Sequence, residues 1–258
     1  MRRSPLILLA LLPALLLVPG ASGAGPWLGT AAEGLGYTAV VRDGATTVAG
    51  ESGSLTLRGA WGLPRVTLNG EVGGLSADGR VLVLGERFSP TGELRPESSF
   101  TVVRTNPPRV TRTVTLRGDF GFDALSPHGR WLYLIQHVSA RNLLSYRVRA
   151  YDLAHGRLLA RVVADKRQRD WVMEGYPLAR AAAAGGRWVY TLYGNGNNYP
   201  FVHALDTVSR TAVCIGLPWD WTADRAEIDR ATLTVEGGKL AVGDRFLLDR
   251  ATFRVTKR

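Results

Sequence analysis

The sequence predicts an all-β fold built from repeated units, and three observations carry that prediction. Beyond the first 24 residues, apolar runs are mostly four to eight residues long and rich in Val, Leu, Thr, Tyr and Trp, as β-strands are. Turns that contain Gly or Asp separate these runs. One of these turns recurs with a period near 50 residues. Repeats of this length, each holding four strands, predict a β-propeller of about five four-stranded blades, preceded by a signal peptide.

The N-terminus has the three parts of a secretory signal peptide. Two arginines come first, residues 6–18 are apolar apart from one proline, and the small residues Ser22 and Ala24 suit cleavage after Ala24. The apolar stretch is shorter than the ~20 residues that a membrane helix needs, and a retained anchor is the alternative. We therefore expect a signal peptide over residues 1–24, a linker over 25–36, a propeller domain over 37–258 and no membrane span after cleavage.

Basic residues exceed acidic residues, 32 against 22, which gives a formal net charge of +10. Of the 32 basic residues, 29 are arginine, and they are spread along the chain, whereas nucleic-acid binders concentrate their charge on one face or in one run. Because an exported protein also meets little DNA or RNA, we expect no nucleic-acid partner. The signal peptide predicts a secreted or extracytoplasmic protein, and association with an anionic cell-wall polymer stays open.

The recurring turn divides the body of the chain into units. It occurs in residues 75–84, 125–134, 183–190 and 235–242, and the glycine directly before its Arg or Lys is Gly79, Gly129, Gly186 and Gly238. A second kind of turn follows a strand end at Asp152, Asp206 and Asp249. Glycine supplies the positive φ that a tight hairpin needs, and aspartate caps its turn through the backbone two residues on. Each unit is therefore interpreted as four strands joined alternately by tight turns and longer loops.

The first unit lacks the recurring turn. Residues 37–70 instead offer four short runs, Tyr37–Val41, Thr46–Ala49, Ser54–Leu57 and Arg65–Leu68. We interpret these runs as the strands of one further blade. A pair of β-sandwiches or barrels is the alternative architecture for so many short strands.

The same turn residues suggest a family. Ser-Pro-His-Gly-Arg at residues 126–130 is followed by Trp-Leu-Tyr, and the turn at Asp152 comes next. Over about residues 73–258 the chain resembles bacterial extracytoplasmic β-propellers of the WD40-like and YVTN-like types. The Gly-His and Trp-Asp signatures of strict WD40 repeats are missing, since the pair Trp219-Asp220 lies outside the expected strand end. The resemblance implies a propeller fold, and a fold does not by itself imply a function.

The connectivity predicts which end of the propeller binds. In a four-stranded blade the tight turns lie on one face and the longer loops lie on the other. Function concentrates on long loops held by a rigid scaffold, so we expect one plain face and one binding face. Carboxylate, amide and aromatic groups there would suit a glycan, a peptide or a protein partner. The candidate binding residues are Glu174, Tyr176, Asn195, Asn197, Tyr199 and Trp219. In the alternative interpretation the tryptophan packs between blades and the asparagines only tolerate left-handed turns.

Catalytic motifs are not found in the sequence. There is no G-x-S-x-G elbow, Walker loop or dinucleotide fingerprint, so no cofactor is expected. The four histidines lack metal-ligand spacing, so no metal site is expected either. Two hypotheses for function compete. We favour a secreted binding or scaffold module, and the alternative is an extracytoplasmic hydrolase or lyase whose axial site takes single residues from several blades.

Overall fold

A computed structural model describes residues 28–29, 35–87, 93–165, 172–194, 199–220 and 222–258. Within these residues the chain forms twenty-one strands and one four-residue helix. The predicted signal peptide lies outside the described residues. Part of the predicted linker is a strand, because Leu28–Gly29 pairs with Leu63 and Pro64.

The strands form five antiparallel sheets, which follow one another in sequence order except that Leu28–Gly29 joins the second sheet. The first sheet contains β2 (Tyr37–Arg42), β3 (Ala45–Gly50) and β4 (Gly53–Arg58). The second contains β1 (Leu28–Gly29), β5 (Trp61–Pro64), β6 (Val81–Glu86), β7 (Glu97–Thr105) and β8 (Pro108–Arg117). The third contains β9 (Phe120–Leu125), β10 (Trp131–His137), β11 (Ser145–Asp152), β12 (Arg157–Val163) and β13 (Met173–Glu174).

The last two sheets each have four strands. The fourth sheet contains β14 (Tyr176–Ala182), β15 (Trp188–Gly194), β16 (Phe201–Asp206) and β17 (Thr211–Gly216). The fifth contains β18 (Leu233–Glu236), β19 (Lys239–Val242), β20 (Phe246–Asp249) and β21 (Val255–Lys257). A short helix, α1 (Arg225–Ile228), lies in the connection between these two sheets.

The sheets pack face to face because their strands carry apolar side chains on both sides. In β10, Leu132 and Leu134 enter the core shared with the second sheet, whereas Tyr133 enters the core shared with the fourth. This is the period of two that a strand imposes on its side chains. Four buried clusters join consecutive sheets in this way. Five sheets stacked in succession form a β-propeller, which confirms the predicted fold class.

The first sheet has three strands among the described residues, not the four that were predicted. The first three predicted runs are β2, β3 and β4, but Arg65–Leu68 does not join them. By Trp61 the chain has already entered the second sheet, since β5 pairs with the end of β6. The prediction of a strand at Arg65–Leu68 was wrong. The apolar spacing there is typical of a strand, but the backbone leaves the sheet.

The two kinds of tight turn have the predicted chemistry. Gly79, Gly129 and Gly186 adopt φ near +70°. In the fifth sheet Gly237 takes this role in place of Gly238. The side chains of Asp152, Asp206 and Asp249 each accept hydrogen bonds from the backbone N–H groups two and three residues on. These turns lie at one end of the sheets, here called the tight-turn face, and the opposite end is called the long-loop face.

Three of the glycine turns meet at the centre of the tight-turn face. The Asp78 N–H donates to the Pro127 carbonyl at 3.2 Å. A Cβ on Gly186 would come within 2.6 Å of the Ala77 Cβ, so the turn of the fourth sheet lies directly against the turn of the second. The second, third and fourth sheets therefore converge there.

Residues 65–72, here called the inner loop, interrupt the innermost strand of the second sheet. The chain leaves the sheet after β5 and returns where the Gly73 N–H donates to the Pro64 carbonyl at 2.8 Å. At its tip the Leu68 N–H donates to the Pro177 carbonyl of β14 at 2.9 Å. The Asn69 side chain donates to the Leu178 carbonyl at 3.2 Å. The inner loop thus ties the second sheet to the fourth across the centre.

A matched pair of glycine variants tests the contact between turns. Gly186→Ala and Gly79→Ala both place a side chain at φ +70°, but only the Gly186 Cβ meets a neighbour, since nothing lies within 4 Å of a Cβ on Gly79. Both should lose about 1 kcal/mol of unfolding free energy from the left-handed conformation. Gly186→Ala should lose a further ~1–3 kcal/mol from overpacking. Urea unfolding measures the difference, and equal losses would contradict the contact.

Candidate functional site

An ion pair lies at the centre of the propeller. Arg180 of β14 donates through Nη1 to Asp123 Oδ1 of β9 at 3.0 Å and through Nη2 to the Asp123 carbonyl at 2.6 Å. The two side chains are only 13% and 3% exposed. Glu71 of the inner loop lies next to Arg180. Burial raises the pKa of Glu71, and the charge and backbone N–H of Arg180 partly offset that rise. Arg180 therefore forms an ion pair with Asp123 of the third sheet and interacts electrostatically with Glu71 of the inner loop.

A buried polar cluster adjoins this ion pair, between the third and fourth sheets. Tyr146 and Tyr193 stack with ring centroids 5.4 Å apart. The His203 ring meets Tyr193 edge-on, and its Nδ1 lies 3.5 Å from the Cys214 Sγ. Burial lowers the pKa of His203 to about 4. The imidazole is therefore neutral near pH 7 and belongs to the core.

These central groups have the geometry of structural ion pairs and hydrogen bonds. Asp123 is held by Arg180 and is almost fully buried, and the inner loop covers the same inner strands. A general acid or base must reach the reacting atom, and neither Asp123 nor His203 is exposed to solvent. Among the described residues no group of three or more His, Cys, Asp and Glu side chains is arranged to hold a metal ion.

The residues predicted to bind are distributed between surface and core. Glu174 and Tyr176 are half-buried at the long-loop face, on β13 and at the start of β14. Tyr199 is 67% exposed in the connection before β16. Trp219 is fully buried and packs edge-on against Phe246 at 5.1 Å, as its alternative interpretation anticipates. Asn195 and Asn197 lie outside the described residues.

Backbone pairing brings part of this set together. At the long-loop face the Val138 N–H donates to the Ser145 carbonyl at 3.1 Å, and Ser145 pairs with Glu174. Tyr176 pairs with Gly194, the last residue of β15. The tip of the inner loop follows through the bond from Leu68 to Pro177. The third sheet, the fourth sheet and the inner loop are therefore linked by backbone hydrogen bonds at this end. Six side chains from the linked segments are here called the rim: Leu68, Val138, Val172, Glu174, Tyr176 and Tyr199.

The rim concentrates exposed apolar side chains. Seven large apolar side chains are exposed among the described residues, and four of them lie on the rim: Leu68, Val138, Val172 and Tyr199, at 52%, 37%, 37% and 67%. Of these four residues, only Tyr199 was predicted from the sequence to bind a partner. Val138 and Val172 lie in long loops and carried a weak signal there, whereas Leu68 was assigned to a strand. Clustering of this kind marks interaction surfaces, whereas singly scattered apolar residues do not.

A groove opens on the tight-turn face, which was expected to be plain. It lies between the first and second sheets, has a volume of about 740 Å³ and is lined by the charged residues Glu51, Asp78, Arg80 and Arg104. The groove exists because the first sheet lacks the glycine turn. At the junction of the second and third sheets, the glycine turn of the third sheet occupies the corresponding position. There the Asp78 N–H donates to the Pro127 carbonyl. The tight-turn face is therefore closed at the second-to-third junction and open at the first.

Comparisons with known proteins bear on the fold alone. No family model matches the sequence, and no curated protein matches it. Among solved structures, a structure from an analysis of two prolyl endopeptidases aligns at 12% identity with a TM-score of 0.50, covering 91% of this chain and 36% of that one. Puromycin hydrolase aligns at 18% identity and a TM-score of 0.44, covering 90% of this chain and 38% of that one. The β-propeller domain of Swd1 from Myceliophteria thermophila aligns at 13% identity and a TM-score of 0.48, over 90% and 70% of the chains.

This chain spans little more than a third of the length of the prolyl endopeptidase and puromycin hydrolase chains with which it aligns. Within the part of the chain that the structure describes, no helix is both long enough and apolar enough to cross a bilayer.

The central ion pair should dominate local stability. Arg180→Gln leaves the Asp123 carboxylate buried without its cation, and we expect a loss of about 3–5 kcal/mol in unfolding free energy. The double variant Asp123→Asn, Arg180→Gln removes both charges and should recover part of that loss. Lys239→Gln is the control, because the side chains of the pair Lys239–Asp249 are 50% and 30% exposed, and exposed ion pairs contribute little to stability. Denaturant titration would contradict this ranking if both single variants lost the same amount.

The buried imidazole makes stability depend on pH. Burial lowers the pKa of His203 to about 4 in the folded protein, against 6.5 for an unperturbed histidine. The unfolded chain therefore binds more protons between these values, and stability falls as pH drops from about 6.5 to about 4, by up to about 3 kcal/mol. Burial also lowers the pKa of His137, which adds in the same direction.

His203→Asn should flatten this part of the stability profile, measured by denaturant unfolding at a series of pH values. His128→Asn is the control, since the His128 side chain is 83% exposed. An unchanged slope in His203→Asn would show that the buried histidine is not the titrating group.

Proposed function

We propose that this chain is an extracytoplasmic binding or scaffold module whose rim holds a polypeptide partner. The observation that supports this proposal is the clustering of four exposed apolar side chains on one hydrogen-bonded surface. Anchors that are exposed in the free protein and covered in a complex carry most of the affinity of protein interfaces. The N-terminal signal-peptide pattern supports the extracytoplasmic location.

The chemistry of the rim favours a peptide over a glycan. Three of its exposed side chains are aliphatic (Leu68, Val138 and Val172) and one is aromatic. Aliphatic groups gain from the burial of apolar area, whereas a sugar offers mostly hydroxyl groups. Glu174 lies beside this apolar surface and provides a carboxylate for a basic or amide group of the partner. A short apolar segment flanked by a cation suits this arrangement best.

The hydrolase alternative finds less support in the geometry. An axial site needs solvent-accessible acid, base or nucleophilic groups at the centre. There the inner loop is bonded to β14, and the described charges around it are committed to the pair Arg180–Asp123 and to its neighbour Glu71. An inner loop fixed to β14 beside an apolar rim supports binding more than turnover.

Two exposed valines on opposite faces test the proposal. Val172 lies on the rim, and Val208 lies in the tight turn after Asp206, at 37% and 50% exposure. Peptides selected from a displayed random library on the intact protein serve as the probe. Val172→Ser combined with Tyr199→Ala should weaken their affinity about tenfold or more, and Val208→Ser should leave it unchanged.

Isothermal titration measures these affinities, and a glycan array tested in parallel covers the alternative ligand class. Equal binding by the rim and control variants would reject the rim. Rim-dependent binding of glycans without selectable peptides would reject the polypeptide partner.

A further inference from the structure

Two partly buried arginines lie two residues apart on β11, and neither has a carboxylate partner among the described residues. Arg147 and Arg149 are both partly buried, and the Nε atom of each is buried without a hydrogen-bond partner. Among the described residues, no ion pair joins either of them to an acidic side chain. By contrast, Arg95 binds Asp119 at 2.6 Å. The protein therefore keeps two cationic groups at one place with no negative charge bound to them.

The neighbouring groups hold this pair in position without neutralising it. Arg149 donates through Nη1 to Gln136 Oε1 at 2.6 Å and through Nη2 to the Leu159 carbonyl at 2.7 Å, both uncharged acceptors. Arg147 pairs with Gln136 across β10 and β11. Glu174 stands opposite Ser145, two residues before Arg147, and no ion pair links it to either arginine. Arg149 is thus held in a fixed position by uncharged groups, with no negative charge bound to it.

The two guanidinium groups also repel each other. Residues two apart on a strand project from the same face, with Cα atoms about 7 Å apart. Burial lowers the pKa of Arg149, and the nearby charge of Arg147 lowers it further. Partial burial of like charges is unfavourable unless an opposite charge is supplied. A ligand with two negative charges would remove both the desolvation cost and the repulsion.

We propose that Arg147 and Arg149 form a binding site for a divalent tetrahedral oxyanion, a phosphate or sulfate group. Guanidinium groups bind such oxyanions through paired, charge-assisted hydrogen bonds. A phosphomonoester carries close to two negative charges at neutral pH, which matches the two uncompensated cations. Arg147 and Arg149 are not rim residues, although Glu174 of the rim lies on the neighbouring strand, and the proposal does not depend on the polypeptide partner.

Inorganic phosphate, sulfate and acetate, each added at equal ionic strength to the full chain, probe the site. Phosphate or sulfate should raise the unfolding temperature of the wild type in a concentration-dependent way, and acetate should not. The anion that gives the larger shift identifies the phosphate or the sulfate class. An acetate shift as large as both would overturn the divalent assignment, and no shift above chloride would overturn the site.

Arg147→Gln is the decisive variant, because Arg147 makes no described hydrogen bond whose loss would disturb the fold. It should weaken phosphate affinity at least about tenfold, measured by isothermal titration, while unfolding at the same or a higher temperature without phosphate. Arg149→Lys keeps the charge but loses the fork of donors, and it should bind with intermediate affinity. Arg42→Gln, at an exposed arginine of the first sheet, is the control and should bind like wild type. Unchanged phosphate affinity in Arg147→Gln would reject the proposal.

Discussion

Burial of both faces of the three middle sheets is the constraint on which the rest of the structure depends. A strand in such a sheet has no solvent side to fill with polar residues, as β9 and β16 show, since every residue in each is buried. Polar groups that remain inside must then be paired. The Thr207 hydroxyl donates to the Gly186 carbonyl and its N–H donates to the Arg187 carbonyl, while the Asp206 side chain accepts from two backbone N–H groups. The first sheet lies at the end of the stack, so polar side chains on its outer face can contact water. Thr38 and Thr47 are exposed there.

Local chemistry could be predicted from the sequence, and contacts between distant segments could not. Gly79 and Asp152 each predict a turn from the sequence, because a positive φ and side-chain capping involve only residues close together in the chain. The inner loop was missed because its anchors lie far away: Asn69 and Leu178 are 109 positions apart. The same reason explains the candidate site. The Tyr199 loop was identified, but its neighbourhood with Leu68 and Val138 depends on sheet packing.

Arginine has three different roles in this chain, although composition shows only one excess of positive charge. Arg180 joins sheets at the centre through a buried carboxylate. Arg187 reinforces a tight turn by binding Asp206 at 2.9 Å, with its own side chain 56% exposed. Arg147 forms no ion pair with a described carboxylate, and its Nε is buried without a hydrogen-bond partner. The distribution of partners therefore says more about function than the net charge does.

The inner loop gives this repeat protein a property that stacked repeats usually lack. In an array where each unit touches only its neighbours, units can melt one at a time from an end. Here the bond from Leu68 to Pro177 couples the second sheet directly to the fourth, so neither can open without exposing the third. The three middle sheets should behave as one cooperative folding unit, while the first and fifth sheets remain free to fray. Such a unit also folds late, because its closing contact waits for a segment more than a hundred residues away to be in place.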